Sequence, residues 1–220
     1  MLANHTYYGN NNKQNSMFPL EIMYLTQGEN GSYSHQGTLA MDFQGMYNAS
    51  TRRYRCPYYA PVDLELVARP DDQNHVYVYT SVSEVNFIDG TTGYLTIMFN
   101  HDNDVYSIGR RVNQGYEIGK TGTYGGGSST GVGDHVHIEA KKGQWEGLYQ
   151  NSQGVWCMKN ANHIYNLLGV NDTMLLVTGG YNWQEYSSGP TPPSPSYRKS
   201  KFPWVLYARK LRNNKYWKSF

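Results

Sequence analysis

Cysteine is scarce in this chain. Cys56 and Cys157 are the only two in 220 residues. With no Cys-x-x-Cys pair, the sequence offers no thiolate zinc motif, and the two cysteines could form one disulfide or both be free. Long apolar runs are also missing, and none approaches the ~20 residues of a membrane span. The opening MLANHTYYGNNNKQNS has neither the basic start nor the apolar segment of a signal peptide. The expectation is a chain that does not use the general export pathway, or a piece of something longer. Acidic residues are absent from 197–220, which carry eight Lys+Arg, a net +8, whereas residues 1–196 carry 11 Lys+Arg against all 17 acids, a net −6. The overall +2 conceals that split. Long helical patterns are few as well.

Glycine, asparagine and tyrosine are abundant, with 23 Gly and 21 Tyr. Hydrophobic content is 39%, low but enough for a core. Short apolar runs separated by Gly/Asn/Asp clusters predict an all-β, antiparallel domain. HVYVYTSV (75–82), GYLTIMF (93–99) and DHVHIEA (134–140) are the clearest strands, and NANHIYNLL (160–168) has the spacing of a short helix. Four segments follow: an Asn-rich arm over 1–16 that reads as loose, a β domain over 17–186, a Pro/Ser linker over 187–196 (SSGPTPPSPS), and a basic aromatic tail over 197–220. The tail could touch an anionic surface such as a membrane or a wall polyanion, or be a solvated tail. Nucleic acid is not an expected partner, because the domain itself is acidic and carries no binding motif.

Seven histidines are present, and His135 and His137 lie one residue apart. On a strand they share a face, while Val136 and Ile138 point to the other. Alone, the pair is a weak signal. Partners are available in SYSHQGTLAMDF (32–43), with His35 and Asp42, and in TIMFNHDNDV, with His101. Imidazole and carboxylate ligands suit zinc, and a catalytic zinc takes three protein ligands and keeps a fourth position for water. Two His and one Asp leave a divalent ion with a net charge of about +1, which acidifies that water.

These residues carry a resemblance. SHQGTLAMDF, YAPVDLELVA (59–68), FNHD (99–102) and VNQGYEIGKTGTYGGGSSTGVGDHVHIEA (112–140) resemble, in order, the motifs of the lysostaphin/LytM-type zinc endopeptidases of peptidoglycan, the M23 peptidase family. The resemblance runs from about Ser34 to Ala140 and ends on His-x-His-x-Glu. It implies an antiparallel β catalytic domain with one zinc ion, held by His35, Asp42 and His137. His101 and His135 would then handle the proton and stabilise the oxyanion. The reaction implied is hydrolysis of an amide bond in the peptide cross-links of bacterial peptidoglycan. Leu64 stands where the family has glycine, and FNHD replaces the usual Tyr-x-His-Leu. Six residues separate His35 from Asp42 where three are usual. That odd offset would send the two to opposite faces of one strand, so a bulge or turn at Gly37 must restore convergence. The longer gap is similar to that of tailed-phage tail-tip lysins, which implies a virion-associated enzyme or one released to the cell-wall space, with phage tail subunits as partners. The alternative is a catalytically silent wall-binding or tail-structural module that keeps the fold.

His5, His75 and His163 match no motif and read as structural. GSSTG (127–131) fits the Gly-x-Ser-x-Gly pattern of a nucleophile elbow, but that motif needs a following helix, and a strand is predicted there. YGGG is no phosphate loop, since no Lys-Ser/Thr follows it.

Overall fold

Along Val76–Ser81, valine alternates with tyrosine, and the strand buries both faces. Tyr77 and Tyr79 enter one large apolar cluster, whereas Val76 and Val78 enter a second, smaller one. β-Branched and aromatic side chains suit a pleated surface covered on each side. A computed structural model of the protein describes residues 2–48, 50–169 and the strand 175–177. The predicted linker (187–196) and basic tail (197–220), and the predicted end of the domain at 186, lie outside the described residues.

The fold is almost all β. In chain order the strands are β1 (Ile22–Gln27), β2 (Met41–Gly45), β3 (Pro57–Tyr59), β4 (Leu64–Asp71) and β5 (Val76–Ser81). Next come β6 (Val85–Asn86), β7 (Thr92–Gly93), β8 (Leu95–Asn100), β9 (Arg111–Val112) and β10 (Glu117–Lys120). After β11 (Val136–Lys142), the hairpin strands β12 (Leu148–Gln150) and β13 (Trp156–Met158) precede helix α1 (Ile164–Leu167) and β14 (Leu175–Val177). Eight of them form one sheet in the order β14-β1-β2-β11-β8-β5-β4-β9. It is antiparallel as expected, except that β14 pairs with β1 in parallel.

Alternation sorts the central strands. Met41 and Phe43 of β2, Val136, Ile138 and Ala140 of β11, and Leu95, Ile97 and Phe99 of β8 all belong to the large core. Tyr58 stacks on Phe99 at a centroid distance of 4.8 Å, and Tyr79 meets the same ring edge-on at 6.2 Å. The opposite face carries Asp42, His137 and Glu139, beside the smaller cluster of Val76, Val78, Met98 and Met158. The β12–β13 hairpin supplies Met158 to that cluster and partly covers the face.

The short helix expected within 160–168 is present, and one other expectation needs correction. Residues 160–168 contain only the four-residue α1, preceded by an N-cap residue, His163, that makes no side-chain capping bond. The Asn-rich opening is not a loose arm. Leu2 is fully buried in the large core, and Asn4 donates its backbone N–H to Gly115 O. Asn86 gathers the segment by donating to Asn11 Oδ1, Asn15 Oδ1 and Lys13 O. Side-chain amides that signal loops in sequence here add to backbone bonds such as Ser16 N–H to Asn86 O and Asn86 N–H to Gln14 O. Cys56 and Cys157 are both free and buried.

Because Leu2 fills core space, Leu2→Ala is expected to cost about 2–5 kcal/mol, read as a lowered midpoint in urea unfolding. A variant as stable as the parent would return the segment to the status of a loose arm.

Candidate metal centre and flanking histidines

Register creates the centre. His137 of β11 sits directly opposite Asp42 of β2 on one side and Asn100 of β8 on the other. Directly opposed residues of an antiparallel pair project to the same face with Cβ atoms about 5 Å apart. Asp42 and His137 therefore converge on the face away from the large core, and His137 Nδ1 lies 3.0 Å from Asp42 Oδ1.

His35 comes from outside the sheet. The loop between β1 and β2 folds back on itself: His35 N–H donates to Gly31 O, Thr38 N–H to His35 O, and Asn30 N–H to Thr38 O. Gly37 adopts φ +77°, so the reversal needed by the six-residue gap is made by a turn at that glycine. Side chains from the β12–β13 hairpin pin the loop from outside. Gln153 donates to Ser32 O and Tyr33 O, Asn151 to Ser34 O, and Tyr149 to Gly37 O.

Three imidazoles are held by the backbone in the same way. The Nδ1 atoms of His35, His101 and His135 lie 3.0, 2.7 and 2.6 Å from the carbonyls of Gly28, Tyr124 and Gly133. A ring nitrogen facing a carbonyl must carry the proton, which leaves each Nε2 as a lone pair when the ring is neutral. His35 Nε2 is buried and makes no hydrogen bond, although Asp42 Oδ1 is only 3.3 Å away. His135 Nε2 is 3.7 Å from the same oxygen. His137 is oriented in reverse: its Nε2 is 3.1 Å from Glu139 Oε1, which leaves Nδ1 toward Asp42.

Ligand-capable atoms of His35, Asp42 and His137 all lie within 4.8 Å of one another. A bare buried nitrogen, a second imidazole edge and a carboxylate oxygen around one point fit a divalent ion, and this donor set is one that zinc accepts. Glu139 completes the arrangement. It is fully buried, takes the His137 proton on one oxygen, and receives Met158 N–H at 2.9 Å and Thr38 Oγ1–H at 3.3 Å on the other. A carboxylate behind a ligating histidine fixes its tautomer and raises its basicity. Sequence reading left Glu139 without a role, yet its position two residues after His137 on a strand was the signal.

The charges respond accordingly. Burial would raise the Asp42 carboxyl, but the surrounding His35, His135 and His137 rings hold it well below the usual carboxylate range. Burial opposes a charge on His137, but Asp42 and Glu139 outweigh it and push the ring up to about 10. Burial, then the neighbouring His135 and His137, push His101 down to about 3, so it stands neutral.

His101 and His135 are brought beside the triad, with ring centroids 4.6 Å apart, and His101 lies 6.2 Å from His137. His101 adopts φ +78° just beyond β8, an unusual conformation for a residue with a side chain. Close approach at Gly122 fits this geometry, since a Cβ there would lie 2.0 Å from His101 O. His135 falls one residue before β11 and is held by paired backbone bonds to Gly122. The run after the Gly-Ser turn is therefore a strand, as the rejection of a serine nucleophile required.

His75 proves to be a support. It is buried, donates Nδ1–H to Asp102 O at 2.6 Å, and stacks on Tyr124 with centroids 3.4 Å apart. Tyr124 is the residue whose carbonyl holds His101. Fully buried Asp102 accepts from Arg55, Tyr106 Oη and the N–H of Lys120 and Asp104. No spacing rule exposes these contacts, because each depends on a loop conformation. His163 binds Glu29 Oε2 at 2.6 Å, and His5 Nδ1 lies 2.7 Å from Ala3 O, both apart from the triad.

No protein-family model matches the chain. Over 178 residues it is 35% identical to Morphogenesis protein 1 of Bacillus phage B103. The match takes in 80% of this chain and 46% of that protein, so the chain spans about half the length of the relative. The likeness is to a phage protein. Among solved structures, a zinc-containing peptidase from Vibrio cholerae superposes with a TM-score of 0.37 at 15% identity, over 62% of this chain and 43% of that one. Among the described residues, no helix is long and apolar enough to cross a membrane.

Glu139→Gln keeps the shape but weakens the hold on His137. Zinc affinity, measured by competition with a chromophoric chelator, is expected to fall roughly 10–100-fold. Unchanged affinity would show that Glu139 serves the fold alone.

Proposed function

We propose that the chain is a zinc-dependent endopeptidase of the lysostaphin/LytM type, cutting amide bonds in the peptide cross-links of bacterial peptidoglycan as part of a phage particle. The observation that carries the reading is the convergence of His35, Asp42 and His137 on one point, with the buried His35 nitrogen left bare. The ordered motifs between Ser34 and Ala140 support the substrate class. The similarity to a phage morphogenesis protein supports the particle. In this reading residues 17–186 are the catalytic unit, and the linker and basic tail join it to the rest of a virion protein, near other tail subunits.

His35, Asp42 and His137 would hold the ion, which when bound polarises a carbonyl and acidifies a water. The chain's own residues do the remainder. His101, and His135 in its neutral form, present lone pairs at Nε2, because Tyr124 O and Gly133 O fix the opposite nitrogens. Either ring can take a proton from the attacking water and return it to the leaving amine, which is general acid–base catalysis. Once protonated, the same N–H groups would offer hydrogen bonds to the negative charge that develops on the scissile carbonyl. Mounting both on backbone clamps limits reorientation during the reaction.

Purified peptidoglycan digested with the protein is expected to release fragments with new peptide amino termini, seen by mass spectrometry, that vanish when zinc is chelated. His35→Ala and Asp42→Ala should abolish both metal uptake and release. New reducing sugar ends would overturn the site assignment, and no fragments from any wall type would leave a silent module.

A separate variant tests the flanking histidines. His101→Ala is expected to retain zinc while losing about 10²–10⁴-fold in rate. Loss of metal together with activity would make His101 a ligand support instead.

A further inference from the structure

The loop between β2 and β3 places Arg52, Arg53 and Arg55 within four residues. Most other cations of the described residues meet carboxylates: Lys13, Arg69, Arg111, Lys120, Lys141 and Lys142 are all ion-paired. Arg55 is also neutralised, at 2.6 Å from Asp102 and 2.7 Å from Asp104. Arg52 and Arg53 have no carboxylate within ion-pair distance among the described residues. Two adjacent uncompensated guanidiniums in an acidic domain call for an anion.

Their surroundings prepare them for one. Arg52 lies over the Tyr54 ring at 4.6 Å and Arg53 over Tyr47 at 5.4 Å. Both tyrosines stay largely exposed, at 66% and 63%. Stacking occupies the flat faces of the guanidiniums and leaves N–H edges, which are the part that recognises a planar carboxylate. Arg52 Nε is buried and finds no acceptor within the fold, so contact with a substrate falls to the other guanidinium nitrogens.

Position ties the pair to the centre. Arg52 Nη2 donates to the carbonyl of Asp134, the residue before His135. Arg55 N–H donates to the Asp134 carboxylate at 3.1 Å. Arg53 N–H bonds Gly45 O at the end of β2, the strand that carries Asp42. The arginine ledge therefore flanks the metal centre on the His135 side.

We propose that Arg52 and Arg53 form a specificity subsite for a free carboxylate on the substrate peptide, next to the cleaved bond. This rests on the peptidase reading above and narrows it to acidic peptides over their amidated counterparts. Two synthetic cross-linked peptides, identical except for carboxylate or carboxamide at the residue adjoining the scissile bond, provide the test on the full chain. The parent is expected to show a KM about tenfold lower for the carboxylate at similar kcat, the size of one charge-assisted hydrogen bond. Arg53→Gln should erase that preference by bringing the KM of the carboxylate peptide to that of the amidated one, and Arg53→Lys should keep part of it. Arg52→Gln is the second variant, with its fold checked by thermal melting. Equal KM for both peptides in the parent, or an undiminished preference in Arg53→Gln, would overturn the subsite and leave the peptidase intact. Equilibrium binding of the same peptides separates the two ideas. If neither peptide is cut but the carboxylate still binds tighter through Arg53, the subsite stands and the hydrolase reading falls. Absence of both cutting and binding would remove both.

Discussion

Everything at this centre depends on one imidazole held between two carboxylates. His137 meets Asp42 at one nitrogen and Glu139 at the other, and all three sit on the same face of the sheet. Burying charged groups is costly unless each is paired and hydrogen-bonded. Here Glu139 is fully buried and fully satisfied, by His137, Thr38 and Met158. Asp42 keeps its charge because imidazoles surround it. The β2–β11–β8 register is thus constrained twice, by the apolar side chains on one face and by this pairing on the other. A slip of one residue would exchange the faces and destroy both.

Around that fixed point the remaining groups arrive on loops, each held by backbone contacts. The β1–β2 loop brings His35, the turn after β8 brings His101, and the bridge to Gly122 sets His135. Outer layers then hold these loops: the β12–β13 hairpin clamps the first, and His75, Tyr124 and Asp102 clamp the second. A site assembled from loops gains rigidity only through such cross-bracing. The long polar side chains of Gln153, Asn151 and Arg55 perform it.

The strands were legible where alternation was strong. Val76–Ser81, Leu95–Asn100 and Val136–Lys142 lie close to the predicted 75–82, 93–99 and 134–140. The candidate residues His35, Asp42, His101, His135 and His137 could be chosen from ordered motifs, and the structure gathers them in one place. Other features were hidden because distant contacts decide them. The Asn-rich opening looked loose, but Asn86 gathers it onto the domain. Residues 160–168 showed helical spacing, yet bonds such as Ala140 to Asn162 claim part of the segment for the sheet and leave four residues of helix. His75 matched no motif because its role is set by a stacked ring and a carbonyl reached through turns.

The two thiols carry a different lesson. Burial pushes Cys56 and Cys157 each up to about 11, so both remain protonated near neutral pH. The reactive species in thiol oxidation is the thiolate, and here it is scarce and enclosed. Nothing in the described fold is cross-linked through sulfur. The same architecture can therefore be reached in a reducing compartment and kept in an oxidising one, with no covalent rearrangement on crossing between them.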